Sequence, residues 1–230
     1  MARIFPLSPV LLALTLLPPT VLARSTASNP SIRPLSWTSP IFDDEGEVEG
    51  VKVRNHCTTW AYRAPDAPQV VHWITAAHCV LDEDTNELEE HDYQIDKVLV
   101  NVEAYSVSAD LASLEHGPDA PGLSIASKSA DVLDPVIIQG FPFGWSFMVS
   151  TKGYLAVHGV TLGDFPDQVY DLYNVSAGPG NSGSPVFNDK MRVIGVLQIG
   201  FGRGMSILSG GTPTEVLHRF LDILAVKDHA

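Results

Sequence analysis

GPGNSGSPVF, residues 178–187, sets three glycines, two prolines and an asparagine around two serines and then runs into an apolar segment. Gly, Pro, Asn and Ser each favour turns for a separate conformational reason, so the minimum reading is a tight turn at the mouth of a strand. The glycines say more. A backbone freed of Cβ atoms can hold Ser182 outward while aiming neighbouring N–H groups at one point. A serine hydroxyl is a weak nucleophile until a base takes its proton, and that base is usually a histidine held by a carboxylate. The chemistry therefore requires a histidine and an acid at strand ends or loops elsewhere in the chain.

VVHWITAAHCV, residues 70–80, is an apolar strand that stops at Thr75-Ala76-Ala77-His78-Cys79. The alanines admit close approach of another segment, and His78 stands where the strand ends. SADLASL, residues 108–114, places Asp110 between a strand and a second apolar segment. An ionisable group flanked by apolar residues needs a partner. His56, His72, His91, His116, His158, His218 and His229 read as ordinary core or surface histidines. The acids of DEDTNELEEHD, residues 82–92, read as a solvated charged run.

From Val51 onward, short segments rich in Val, Ile, Tyr and Phe recur between turn residues, as in PVIIQGF, QVYDLYNV and RVIGVLQIG. That pattern predicts many short antiparallel strands, an all-β barrel or sandwich. Residues 24–50 read as an N-terminal extension or propeptide. Gly117, Pro118, Pro121 and Gly122 mark a linker, which divides a first β-domain, 51–121, from a second, 122–230. Thr212-Pro213-Thr214-Glu215 predicts a capped helix start with Pro at the first helical position. Leu217, Phe220, Leu221 and Leu224 then form one apolar stripe, to which no chemistry is assigned.

Charge excludes some partners. The formal net charge is −13, from 27 acidic and 14 basic residues. No basic cluster is available for nucleic acid or for an anionic membrane. Residues 1–23 combine Arg3, the apolar run Val10–Leu17 and small residues ending at Ala23. They read as a secretory signal peptide, too short to span a bilayer, so no membrane contact is expected after its cleavage. For an exported chain the two cysteines, Cys57 and Cys79, most simply form one disulfide, worth about 3 kcal/mol in the chain-entropy model. They are too few for a structural zinc site. Asp82, Asp84 and Asn86 resemble the start of a calcium loop, but Glu87 stands where the turn glycine belongs and Tyr93 where the closing acid belongs. No metal and no cofactor are expected.

TAAHC, DLASL and GNSGSPV, in the order His, Asp, Ser, together resemble the chymotrypsin-like serine peptidases. The resemblance runs from Val51 to the C-terminus. YDLYNVSAGPGNSGSPVFNDKMRVIGV is similar to the bacterial glutamyl endopeptidases, and SADVLDPVIIQGFPFG to the HtrA proteases. The resemblance implies two six-stranded antiparallel β-barrels with a C-terminal helix and a site in the cleft between the barrels. It implies that Ser182 attacks a peptide carbonyl, that His78 moves the proton and that Asp110 orients the imidazole. The N–H groups of Gly180 and Ser182 would form the oxyanion hole. Ser176 would floor the primary pocket, with Leu197 and Ile199 beside it, and Gln198, Ile199 and Gly200 would pair with the backbone of a protein or peptide substrate. Neutral Ser176 offers no counter-charge for Lys or Arg. Leu197 replaces the histidine of the glutamyl enzymes, so an uncharged side chain is expected at P1, the residue that contributes the scissile carbonyl. A glutamyl endopeptidase and a catalytically silent binding protein of the same fold are the alternatives. Asn181, where the pancreatic enzymes carry an aspartate, argues against activation by a new N-terminus. No PDZ-like segment follows, so a regulated HtrA oligomer is not expected. The α/β-hydrolase pattern G-x-S-x-G fails at Ser184.

Overall fold

The computed structural model describes residues 29–42, 48–82, 84–163, 165–201 and 207–228. The signal peptide read at 1–23 lies outside the described residues. Among them, no helix is long and apolar enough to cross a membrane.

The chain forms two antiparallel β units in sequence. The first contains β1 (Ile32–Phe42), β2 (Val48–Tyr62), β3 (His72–Thr75), β4 (Gln94–Ile95), β5 (Val98–Leu99), β6 (Asn101–Ser106) and β7 (Leu111–Glu115). Their order across the sheet is β5-β4-β1-β2-β3-β7-β6. The two edge strands, β5 and β6, are separated in sequence by Val100 alone. One stretch of chain therefore supplies both edges, and this unit is a seven-stranded half-barrel sheet where the resemblance implies a closed barrel of six strands. The second unit contains β8 (Pro135–Gly140), β9 (Val149–Leu162), β10 (Phe165–Asn174), β11 (Pro185–Phe187), β12 (Val193–Gly200) and β13 (Ser209–Thr212). It closes fully, in the order β10-β13-β12-β11-β8-β9.

Sheet formation begins earlier than the apolar pattern shows. β1 lies within the stretch read as an extension, and it pairs along β2 with Ile32 opposite Trp60 and Leu35 opposite Cys57. Ile32 and Leu35 are fully buried. Pro34 and Pro40 and the polar residues between them conceal this strand, because proline lacks the ladder N–H and depresses any strand reading.

Helix α1 (Thr214–Asp228) follows as expected. Leu217, Phe220, Leu221 and Leu224 are buried against Trp60, Ile74 and Leu111 of the first unit and Phe187, Val193 and Val196 of the second. The apolar stripe thus rivets the seam between the units, at roughly 2 kcal/mol per buried side chain. The helix start differs in detail from the sequence expectation. Thr212 Oγ1 donates to Ala109 O (3.2 Å) instead of capping, and the Thr214 N–H donates to Ser129 Oγ (3.3 Å).

A buried polar joint holds β3, β6 and β7 together. His72 Nδ1 lies 2.9 Å from Glu103 Oε2, and Ser113 Oγ donates to the same oxygen at 2.8 Å. Burial pushes the Glu103 carboxyl up, but the hydrogen bonds from His72 and Ser113 outweigh it and hold the group below its usual 4.5. A depressed carboxylate contributes stability above its unfolded pKa and loses that contribution as pH falls through the folded value. Glu103→Gln should therefore lower stability at pH 7 by about 1–3 kcal/mol and flatten the decline of stability below pH ~4.5. Urea titrations of both proteins at pH 7 and pH 3.5 measure this; parallel declines would show that Glu103 does not drive the acid loss.

Candidate active site

β3 ends at Thr75, and the chain enters a single 3-10 turn, Ala77–Cys79, with Cys79 joined by a disulfide to Cys57 on β2. This junction fixes the backbone at His78. Ala76 and Ala77 are buried, as a close approach requires. Asp110 lies in the turn between β6 and β7 with φ +47°, a left-handed conformation that aspartate tolerates better than most residues. Its carboxylate is nearly buried and grips His78 twice. Oδ1 accepts the His78 backbone N–H at 2.8 Å, and Oδ2 lies 2.8 Å from Nδ1. A carboxylate only accepts, so the Nδ1 proton faces Asp110, and in the neutral ring the lone pair is on Nε2.

The loop that carries Ser182 is two successive turns. The Asn181 N–H donates to Gly178 O (3.0 Å), and the Ser184 N–H donates to Asn181 O (2.9 Å). Gly180 and Gly183 have φ values of +94° and +83°, which only glycine adopts without strain. A Cβ at Gly180 would lie 2.5 Å from Phe141 O. Among the described residues, neither the N–H of Gly180 nor that of Ser182 has a protein acceptor.

Thr58, a β2 residue that the sequence reading did not single out, bolts this loop to the first unit. Its N–H donates to Ser182 O (2.8 Å), and its hydroxyl donates to Gly180 O (2.9 Å) while accepting the Phe141 N–H (3.0 Å). Its carbonyl accepts Thr75 Oγ1 at 2.9 Å. The fully buried Thr58 carries no sequence signature beyond a polar residue in a strand.

The serine loop and the histidine junction open onto neighbouring cavities. Ser182 borders a cavity of about 180 Å³ with Pro179, Leu197, Gln198, Ile199 and Gly200. His78 and Asp110 border one of about 500 Å³. Gln198 and Ile199 form a wall common to both. Ser182 Oγ points toward Gln198 O at 3.4 Å, a long contact. Ser176 is half-buried and does not border the cavity at Ser182.

Gln198 does more than the sequence reading assigned to it. Its buried side-chain amide donates to Ala109 O (2.6 Å), Asp110 O (2.9 Å) and Thr212 Oγ1 (2.5 Å), so it ties the second barrel to the turn that holds Asp110. Tyr170, also beside the larger cavity, hydrogen-bonds Gln168. Burial first, and the charge of Asp110 second, push its phenol up to about 12, so it stays neutral. Cys57, His78 and Cys79 bring potential ligand atoms together, but both sulfurs belong to the disulfide, which leaves no thiolate for a metal.

The family description "Trypsin-like peptidase domain" matches residues 60–196, more than half of the chain. The chain belongs to the trypsin-like peptidase family. Two curated relatives from Pseudomonas putida strains, each named a probable periplasmic serine endoprotease DegP-like, are 35% identical over 114 residues. That match covers 46% of this chain and 23% of each relative, so the chain spans about a quarter of their length. The fold is similar to the HtrA-type protease AlgW solved with a decapeptide, with a TM-score of 0.66 at 15% identity over 86% of this chain and 65% of that one. It is also similar to Rv3671c from M. tuberculosis H37Rv in an inactive form, with a TM-score of 0.58 at 17% identity over 87% of this chain and 89% of that one.

Proposed function

We propose that this protein is a serine endopeptidase that cleaves peptide bonds through an acyl-enzyme. The observation that carries the proposal is the double hold of Asp110 on His78, at a cavity that shares Gln198 and Ile199 with the cavity at Ser182. Ser182 Oγ attacks the carbonyl carbon, and His78 Nε2 takes the hydroxyl proton. Asp110 keeps the Nδ1 proton in place and stabilises the imidazolium. The C–N bond then breaks, and His78 returns the proton to the departing amine. Water, deprotonated by His78, attacks the acyl-enzyme and frees Ser182. The N–H groups of Gly180 and Ser182 take the oxyanion, each donor worth about 3 kcal/mol of barrier.

The acyl half of the substrate lies along β12 as an added antiparallel strand, with Gln198, Ile199 and Gly200 as its backbone partners. Leu197 and Ile199 border the cavity at Ser182, and among the described residues no charged side chain does. This supports an uncharged P1 residue, with Ser176 at most a more distant contributor. Export is part of the same reading. Residues 1–23 have the pattern of a signal peptide, the single disulfide suits an oxidising compartment, and the curated relatives are named periplasmic.

A fluorophosphonate probe tests the activity directly, because it reacts only with a serine that a neighbouring base activates. The expected result is stoichiometric labelling of the full chain and none of Ser182→Ala. Absence of labelling in folded protein would instead make this a peptidase-fold binding protein.

A further inference from the structure

The larger cavity, on the His78 side of the Gln198–Ile199 wall, has a chemistry of its own. Ala77, Leu81, Val107, Tyr170 and Ile199 give it apolar walls. Most of its polar groups are already engaged. Both Asp110 oxygens hold His78. The Gln198 side-chain NH₂ is spent on Ala109, Asp110 and Thr212. Gln168 accepts from Tyr170 and donates to Val107 O (3.1 Å). Asp82 is different. Its Oδ1 accepts the N–H groups of Asp84 (3.1 Å) and Thr85 (2.9 Å) and the Thr85 hydroxyl (3.0 Å), which fixes the carboxylate in a tight turn. Among the described residues, Oδ2 has no hydrogen-bond or ion-pair partner. The Thr85 N–H, first among the causes, holds this carboxyl below the usual aspartate range.

The position of the cavity decides which substrate residue enters it. An extended chain alternates its side chains. If P1 enters the cavity at Ser182, the residue before it points to the other side of the shared wall, toward His78. The acyl half of the substrate lies on β12, and both cavities touch β12, so the cavity beside His78 belongs to that half.

We infer that this cavity selects a lysine or arginine immediately before P1, with the aliphatic stem along Leu81, Val107 and Ile199 and the cationic head on Asp82 Oδ2. Long basic side chains bury an apolar stem and keep a charged tip at the opening, which matches walls of this kind under a carboxylate. An acidic residue at the same place would face Asp82 and be rejected. The inference rests on the endopeptidase reading and adds the class of substrate to it.

The test uses a peptide set with P1 fixed at the residue the full-length protein accepts best and with Lys, norleucine or Glu before it. Norleucine keeps the stem and removes the charge. The expected order of kcat/KM is Lys, norleucine, Glu, with Lys about five-fold over norleucine, the size of a good exposed ion pair. Asp82→Asn retains the Oδ1 acceptor of the turn and should bring the Lys/norleucine ratio to about one. Without any variant, 1 M salt should shrink the wild-type ratio toward one, since the screening length falls to about 3 Å. A wild-type ratio of one or less overturns the inference, as does a ratio untouched by both the variant and salt. Labelling by the fluorophosphonate with no preference at this position defeats the inference alone. Failure of labelling defeats the endopeptidase reading and the inference with it.

Discussion

Asp110→Asn should lower kcat about 10⁴-fold at neutral pH while the protein still folds. The carboxylate faces two donors at once, the His78 backbone N–H and Nδ1–H, each at 2.8 Å. An amide offers one acceptor and one donor. If its oxygen keeps the backbone N–H, its NH₂ faces Nδ1 and drives the ring proton to Nε2. The nitrogen that should take the Ser182 proton then has no lone pair to do so. Losses of about that size accompany a wrong histidine tautomer in enzymes of this chemistry. The fold should survive, because asparagine tolerates the left-handed backbone that Asp110 adopts. Steady-state kinetics with a thermal melt checks both halves. A loss below ten-fold, with melting unchanged, would mean that Asp110 does not set the tautomer.

Legibility in the sequence followed the kind of signal each element leaves. β8 and β12 stand out because they are rich in Val and Ile and bounded by turn residues. β13 has the sequence SGGT and no apolar residue. Its glycines answer packing needs instead, since a Cβ on Gly211 would sit 2.5 Å from Val196 O and one on Gly210 would sit 2.9 Å from Ile199. A strand selected for thinness leaves no hydrophobic pattern. The positions of His78 and Asp110 at strand ends were readable from where the apolar runs stop, whereas His72, inside the same run as His78, is a buried histidine held by Glu103. The supporting polar residues were not readable. Thr58, Gln198 and Ser129 act through partners 83, 88 and 85 residues away, at Phe141, Asp110 and Thr214. Such separations have no local signature. Ser176, which alignment by motif puts at the pocket floor, is half-buried and does not border the cavity that Leu197 to Gly200 line.

Gly183→Ala should be strongly damaging, costing about 2–5 kcal/mol. Two independent terms add. The residue sits at φ +83°, where a side chain costs about 1–2 kcal/mol. The new Cβ would also lie 2.1 Å from Thr58 O and 2.3 Å from Thr75 Oγ1, inside the joint where the Thr75 hydroxyl meets the Thr58 carbonyl. Backbone cannot retreat there, because the Thr58 N–H holds Ser182 O and the Gly183 N–H holds Leu197 O (2.7 Å). Overpacking of that sort costs roughly 1–3 kcal/mol more. Gly159 supplies the control. It also has positive φ, +64°, but no atom lies within 4 Å of where its Cβ would be. Gly159→Ala should therefore show the backbone term alone, about 1 kcal/mol. Urea unfolding of both variants in a Ser182→Ala background, which removes self-cleavage, isolates the difference. A gap of about 1–3 kcal/mol, the overpacking term, is expected. Equal destabilisation would mean that the serine loop is not seated on Thr58 and Thr75, and the placement of Ser182 against the first barrel would fall with it.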